Sequence, residues 1–279
     1  IFNNGADQTV AYGVWENRLS VQDQSKLILT SNLTELRLAD AQGDGLILDA
    51  TNASSDAAQL SAKITDWVSD GQSVAGKLTI GGTGVVTIVN NQNDYTGQTI
   101  VQDGAGLIVT GTLGNTANLA NEGTVQISNK VEVNGLTGDG QLTIDDGRIF
   151  TVNVQNNLSV GNHLLFGADN TGVFAVDGSG AQSPINLTFT QEDNARGSYH
   201  FTNVSVSFID DEETGIWNRG TLLNSQSLAL SGSTLTIGSH DANTQESLLN
   251  NLIVDDATLQ FTDITLARGE SSSSVTPLL

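Results

Sequence analysis

The stretch Leu78-Thr-Ile-Gly-Gly-Thr-Gly-Val-Val-Thr-Ile-Val-Asn-Asn-Gln-Asn-Asp-Tyr-Thr-Gly-Gln-Thr-Ile-Val-Gln-Asp-Gly-Ala-Gly-Leu107 decides how this chain folds. It holds short runs of strand-forming residues at 78–80, 85–89 and 99–101, each closed off by Gly, Asn or Asp. In an extended strand neighbouring side chains point to opposite faces. Leu78-Thr79-Ile80 therefore sends two apolar groups one way and a hydroxyl the other. A Greek-key sandwich shares this alternation, but its strands are longer and its hairpins use Asn-Gly turns.

Working outward, the same pattern recurs along the chain. Further short strands are expected at 26–30, 33–38, 46–48, 107–109, 124–127, 141–144, 151–154, 185–189, 204–208, 228–230, 234–237, 251–254 and 258–261. The triplets Leu142-Thr143-Ile144, Leu235-Thr236-Ile237 and Leu259-Gln260-Phe261 repeat the apolar-polar-apolar motif. No stretch reads as a long amphipathic helix, so the fold class is all-β. Self-similarity at roughly 20 residues is the length of one solenoid coil. At ~20–22 residues per coil and about 4.8 Å between coils, the chain makes on the order of 13 coils and a rod about 60 Å long. A rod needs only a thin core of Leu, Ile and Val, which suits an aromatic content of 5%.

Two stretches break the rhythm. Residues 52–71 place Ala57, Leu60, Ile64, Trp67 and Val68 at spacings that fit a short helix packed on the rod, or an extended loop closing a coil. Residues 191–220 hold clustered acids and Trp217. Both are read as excursions from a single rod spanning 1–279.

Charge excludes several functions. There are 31 Asp and Glu against 10 Lys and Arg, a formal net charge of −21. Such a surface repels phosphate backbones and anionic membranes, so no nucleic-acid partner is expected. The chain has no Cys. Avoiding thiols suits a polypeptide that crosses an oxidising compartment unfolded. No run of 18 apolar residues is present, and Ile1-Phe2-Asn3-Asn4-Gly5 opens in mid-pattern, as expected of a fragment trimmed from a longer precursor.

The landmarks of residues 78–107 are Gly82, Gly84, Thr87, Asn93, Asp94, Tyr95, Thr96, Gly97, Thr99 and Gly104. This Gly-x-Gly, strand, Asn-Asp-Tyr-Thr-Gly-x-Thr, Gly-strand order resembles the passenger-associated repeat of autotransporters. Leu113-Gly114-Asn115 with Asn121-Glu122-Gly123 is similar to the same unit. The match covers about a sixth of the chain; the rest agrees in rhythm, as in residues 251–261. The resemblance is to adhesin-type passengers of Gram-negative bacteria. It implies a right-handed parallel β-helix exported to the cell surface, held to the outer membrane only through a C-terminal barrel absent from this chain. It also implies roles in aggregation, biofilm growth or host attachment. Physically, Gly97 and Gly104 are expected at corners with positive φ. Asn93 and Asp94 are expected to bond backbone groups in the turn, and Tyr95 offers an apolar body with a polar tip.

Catalysis finds little support in the sequence. A serine triad needs His, Asp and a Ser in a tight Gly-rich turn. The only histidines are His163, His200 and His240, no Gly-Asp-Ser-Gly occurs, and Gly43-Asp44-Gly45-Leu46 has Gly where a nucleophile would stand. The stronger rival is a polysaccharide-active β-helix enzyme, a lyase or hydrolase using paired carboxylates. Asp145-Asp146, the run 210–213 and Asp255-Asp256 are such pairs, and Asp146 with Arg148 is the most lyase-like. Acidic turns between strands explain them more simply. Asp169, Asp177 and residues 210–213 offer hard oxygen ligands for Ca²⁺, but no calcium repeat or zinc spacing accompanies them. No metal or cofactor is expected, and the chain is read as a non-enzyme.

The remaining candidate is a polar flank. Rows of Asn, Thr, Ser and Asp on stacked coils can meet the same rows on a neighbouring cell, and many weak contacts then add through multivalency. The expected partners are the protein itself on other cells, host-surface glycans or extracellular-matrix proteins. Asn90, Asn91, Asn93 and Asp94 form the densest run of hydrogen-bonding side chains; Asp210, Asp211, Glu212 and Glu213 form the densest charge. These eight residues are the expected contact surface. The Asn-rich turn is favoured for self-association because two acidic loops repel, although the turn can equally serve as scaffold.

Overall fold

Side chains that alternate inward and outward over three to five residues cannot bury their apolar face alone, so each strand must stack on another. The computed structural model describes residues 18–21, 27–29, 35–38, 45–51, 58–114, 117–169, 171–183, 185–191, 198–208, 221–224, 227–231, 234–237, 253–255, 258–262 and 265–268. Among them there is no helix, and the strands form sheets that are parallel except at one hairpin. The fold is all-β with parallel sheets.

Over residues 118–153 the chain visits three sheets in turn and returns to the first, and further on Leu158–Val160, Ile185–Phe189, Val204–Phe208, Thr234–Ile237 and Thr265–Arg268 form another parallel sheet. Asn118–Asn121, Thr124–Ile127 and Val131–Val133 are followed by Gly135–Thr137, Gln141–Ile144 and Ile149–Asn153. Each strand of the second trio pairs in parallel with its counterpart in the first: Leu119 with Leu136, Val125 with Leu142, Val131 with Phe150. The first sheet runs back to Arg18–Val21, and the second to Leu27–Leu29. The third has two parts, one built on Glu35–Leu38 and Lys63–Ser69, the other starting at Val131–Val133.

Register stacks like on like. Leu60, Ile88, Val109, Ile127 and Ile144 form one inward row of the second sheet, each at most 1% exposed. Burying each such side chain stabilises the stack by about 1.5–3 kcal/mol. The outward row beside it reads Gln59, Thr87, Ile108, Gln126, Thr143, Leu165. On the third sheet Val131, Phe150, Phe174 and Tyr199 stack inward, flanked by Phe189 and Phe201. Their rings meet at tilted and edge-on angles, with centroids 5.6–6.3 Å apart, the preferred aromatic geometry. Phe150, Phe174, Phe189, Tyr199 and Phe201 are therefore gathered in one part of the core.

The circuits are not uniform. Leu119 and its partner Leu136 are 17 residues apart, while Tyr199 and Leu228 are 29 apart and Leu46 and Leu78 are 32 apart. In the 46–78 circuit the extra length includes the hairpin of Lys63–Ser69 and Gln72–Val74, and the Leu46–Leu78 pairing keeps its register across it. The 20-residue rhythm holds in the middle of the chain alone.

Within 52–71, residues 58–71 are strand and turn, with neither a helix nor a loop; 52–57 lie outside the described residues. Ala58–Leu60 belongs to the second sheet. Lys63–Ser69 pairs in parallel with Glu35–Leu38, then folds back on Gln72–Val74 as an antiparallel hairpin. Asp70 and Gly71 turn it with φ of 50° and 75°, the left-handed pair that a two-residue hairpin requires. Asp-Gly at 70–71 was the signal for this hairpin. Of 191–220, Ser198–Thr202 and Val204–Phe208 are strands of the parallel sheets, and 192–197 and 209–220 lie outside the described residues.

Candidate functional site

The third sheet is interrupted for two circuits between Lys63–Ser69 and Val131–Val133, and the Asn-rich turn fills the first of these gaps. A segment there cannot complete a strand ladder, so side-chain amides take over. Asn90 Nδ2 donates to Ser61 O at 2.8 Å in the preceding circuit, and Asn90 O accepts Thr112 N at 3.0 Å from the next. Asn93 does the same more deeply: its Oδ1 accepts Ile64 N at 2.7 Å, and its Nδ2 donates to Thr112 O at 2.6 Å. Asn129 Nδ2 then reaches Asn91 Oδ1 at 2.9 Å and Gly111 O at 3.2 Å. Amides thus link four consecutive circuits where β pairing is missing.

This geometry divides the expected contact residues. Asn93 is 4% exposed and faces the stack, so it cannot touch a partner. Asn90 is half-buried and holds the preceding circuit. Asn91 and Gln92 are exposed. Asp94 is exposed and bonded to Lys63 Nζ at 2.6 Å. Burial is the largest single influence and raises its pKa, but bonds from Lys63 and Thr65 and the ammonium charge together outweigh it and hold the carboxyl below the ordinary range. Asp210, Asp211, Glu212 and Glu213 lie outside the described residues.

Beneath the turn, Tyr95 is fully buried and its hydroxyl meets Thr99 Oγ1 at 2.6 Å; burial pushes its pKa up to about 12, partly opposed by that bond. Gly104 has the expected positive φ of 78°. Gly97 does not, and its role is different: a Cβ there would lie 2.1 Å from Gly76 O, so glycine is required by the close approach of two backbones. Asp66, which carried no signal in the sequence, ties the hairpin to this turn. It is 6% exposed; its Oδ1 accepts Gly76 N at 2.7 Å and Thr96 N at 3.0 Å, and its Oδ2 accepts Thr96 Oγ1 at 2.6 Å.

The acid pair that looked most like a catalytic site is also a staple. Asp145 accepts bonds from Gln126 and Ser128 of the preceding circuit. Asp146 accepts Asp169 N and Thr171 N, both at 3.0 Å, from the following one. Those backbone N–H groups lower the Asp146 pKa, the opposite of what a general acid needs. Asp103, Glu122 and Asp139 stand on successive circuits at the corner between the first and second sheets. A hydrogen bond with the Asp139 carboxyl, with burial and the neighbouring negative charges, raises the Glu122 pKa. Among the described residues no three His, Asp or Glu side chains are grouped so as to hold a metal ion.

No family model, curated protein or solved structure matches the chain.

Proposed function

We propose that the chain is part of the passenger of a Gram-negative autotransporter, a right-handed parallel β-helix at the cell surface that acts as an adhesin. Its partners are copies of itself on neighbouring cells, host glycans or extracellular-matrix proteins. The observation that supports this most is the circuit-by-circuit parallel pairing of short strands in three sheets, together with the repeat at 78–107. Winding of this kind supports a solenoid, and parallel crossovers are right-handed in about 98% of cases. The placement of one acid pair adds to the reading: Asp145 and Asp146 are engaged in holding circuits together, and the lowered pKa of Asp146 is the opposite of what that pair would need in a general acid.

Displaying residues 1–279 on a non-aggregating bacterium and following sedimentation tests the adhesive reading, beside a binding array of glycans and matrix proteins. Settling of displaying cells, or capture of a defined array member, is expected. Neither settling nor capture, with the protein shown folded at the surface, would reject it. Oligosaccharide release from a polysaccharide panel, lost in Asp146→Asn, would restore the enzyme.

A further inference from the structure

The cations whose side chains are described are unevenly placed. They are Arg37, Lys63, Lys77, Lys130 and Arg148. Arg37, Lys63 and Lys130 lie on the third face, Arg148 precedes the strand Ile149–Asn153 that enters it, and Lys77 stands where the chain leaves it. Each of the first three meets an acid on the same face: Arg37 with Glu35 at 2.7 Å, Lys63 with Asp94 at 2.6 Å and Lys130 with Glu132 at 2.6 Å. The corner between the first and second sheets carries Asp103, Glu122 and Asp139, with no cation among the described residues there. Two exposed apolar side chains, Val68 at 48% and Val89 at 37%, stand on the third face or its margin.

We propose that this third face, from the circuit of Glu35 to that of Glu132, is where a second copy of the chain docks. The inference rests on the adhesive reading above and names its surface. Two molecules of net charge −21 repel each other, so contact favours the face where Arg37, Lys63 and Lys130 offset part of the charge of Glu35, Asp66, Asp70, Asp94 and Glu132 over a corner that carries acids alone. In an isologous contact the same face lies on both sides, and a surface carrying both signs in sequence can set its cations against its own acids. Val68 and Val89 supply apolar area, and the exposed amides of Asn91 and Gln92 supply hydrogen bonds. Five stacked circuits span only about 19 Å at ~4.8 Å each. A patch that short makes a weak contact singly, so it must act through many copies on each surface.

The test therefore uses the chain coupled to beads, comparing aggregation of the parent, a Gln92→Glu and Lys130→Glu double variant, and Asp139→Asn at the acidic corner. Both altered third-face side chains are exposed, and thermal midpoints matching the parent check the fold. Aggregation at least about tenfold slower in the double variant, and unchanged or faster in Asp139→Asn, is expected. Because the chain has no cysteine, a bulky thiol reagent on Gln92→Cys repeats the test without altering charge, and it too should block aggregation. If parent beads aggregate and both third-face variants match them, the face is wrong while the adhesive reading stands. If parent beads never aggregate, this proposal fails, and host binding is what remains of the reading.

Discussion

Asp66→Ala is the sharpest probe of how the turn and hairpin are held. The carboxylate is 6% exposed and takes two backbone N–H groups on one oxygen, Gly76 N and Thr96 N, and the Thr96 hydroxyl on the other, with Ser73 Oγ further off at 3.4 Å. Truncation leaves two backbone donors without their acceptor, at about 1–3 kcal/mol each, and removes a charge-assisted bond of about 1.5 kcal/mol or more. Relief of the buried charge offsets part of this, for a net loss of roughly 3–5 kcal/mol. Asp66→Asn is the matched control. Its Oδ1 can keep both backbone bonds, and its amide nitrogen faces hydroxyls that rotate to accept, so the cost should be about 1 kcal/mol. Stacked circuits can open locally, so hydrogen exchange at the Gly76 and Thr96 amides is the direct readout, with urea midpoints as the global one. The Ala variant should lose protection at both amides and the Asn variant should nearly keep it. Equal protection in the two variants would show that Asp66 is not the tie described.

Two further predictions follow the same logic. Gly97→Ala forces a Cβ to within 2.1 Å of Gly76 O, and backbone cannot rotate away, so it should cost about 1–3 kcal/mol or more in urea; Gly180→Ala, whose Cβ meets nothing closer than 3.7 Å, should be neutral or stabilising. The raised pKa of Glu122 means the folded state holds a proton that the unfolded chain releases. The stability this adds is present below the ordinary glutamate pKa and is lost as pH rises through the raised one; thermal midpoints over that window should flatten in Asp139→Asn, and an unchanged slope would refute the coupling.

How much of this was legible in the sequence depended on whether the signal was local. Alternation within Leu142-Thr143-Ile144 fixes which side chain turns inward, and the observed burial follows it, whereas at Leu78-Thr79-Ile80 the hydroxyl of the outward Thr79 is covered as well. The repeat length was legible only where connections are short. The circuit between Leu48 and Ile80 adds a hairpin without moving the register, so a regular period misjudges it. The helix considered at 52–71 came from apolar spacing, whereas Asp70-Gly71 carried the stronger turn signal for the hairpin.

The contact surface was harder to read, for a physical reason. A dense run of amides looks the same in sequence whether it faces solvent or replaces a missing ladder, because both uses need donors and acceptors at close spacing. Which use wins depends on the neighbours one circuit away. Asn93 lies 29 residues from Ile64 and 19 from Thr112, yet bonds both. The second separation fits the 20-residue rhythm, but the first spans the longer circuit that holds the hairpin, so no fixed period could have paired both. The same argument applies to Asp66, 30 residues from Thr96, and to Asp146, 25 from Thr171. Polar side chains at the corners of this fold are recruited first to close the stack, Asn91 Oδ1 included, and what is left for a partner is the remainder: Gln92 from the turn, the exposed Lys130, and the paired charges along the same face. A variant that changes Asn90 or Asn93 therefore tests the scaffold, and only one confined to the exposed remainder tests adhesion.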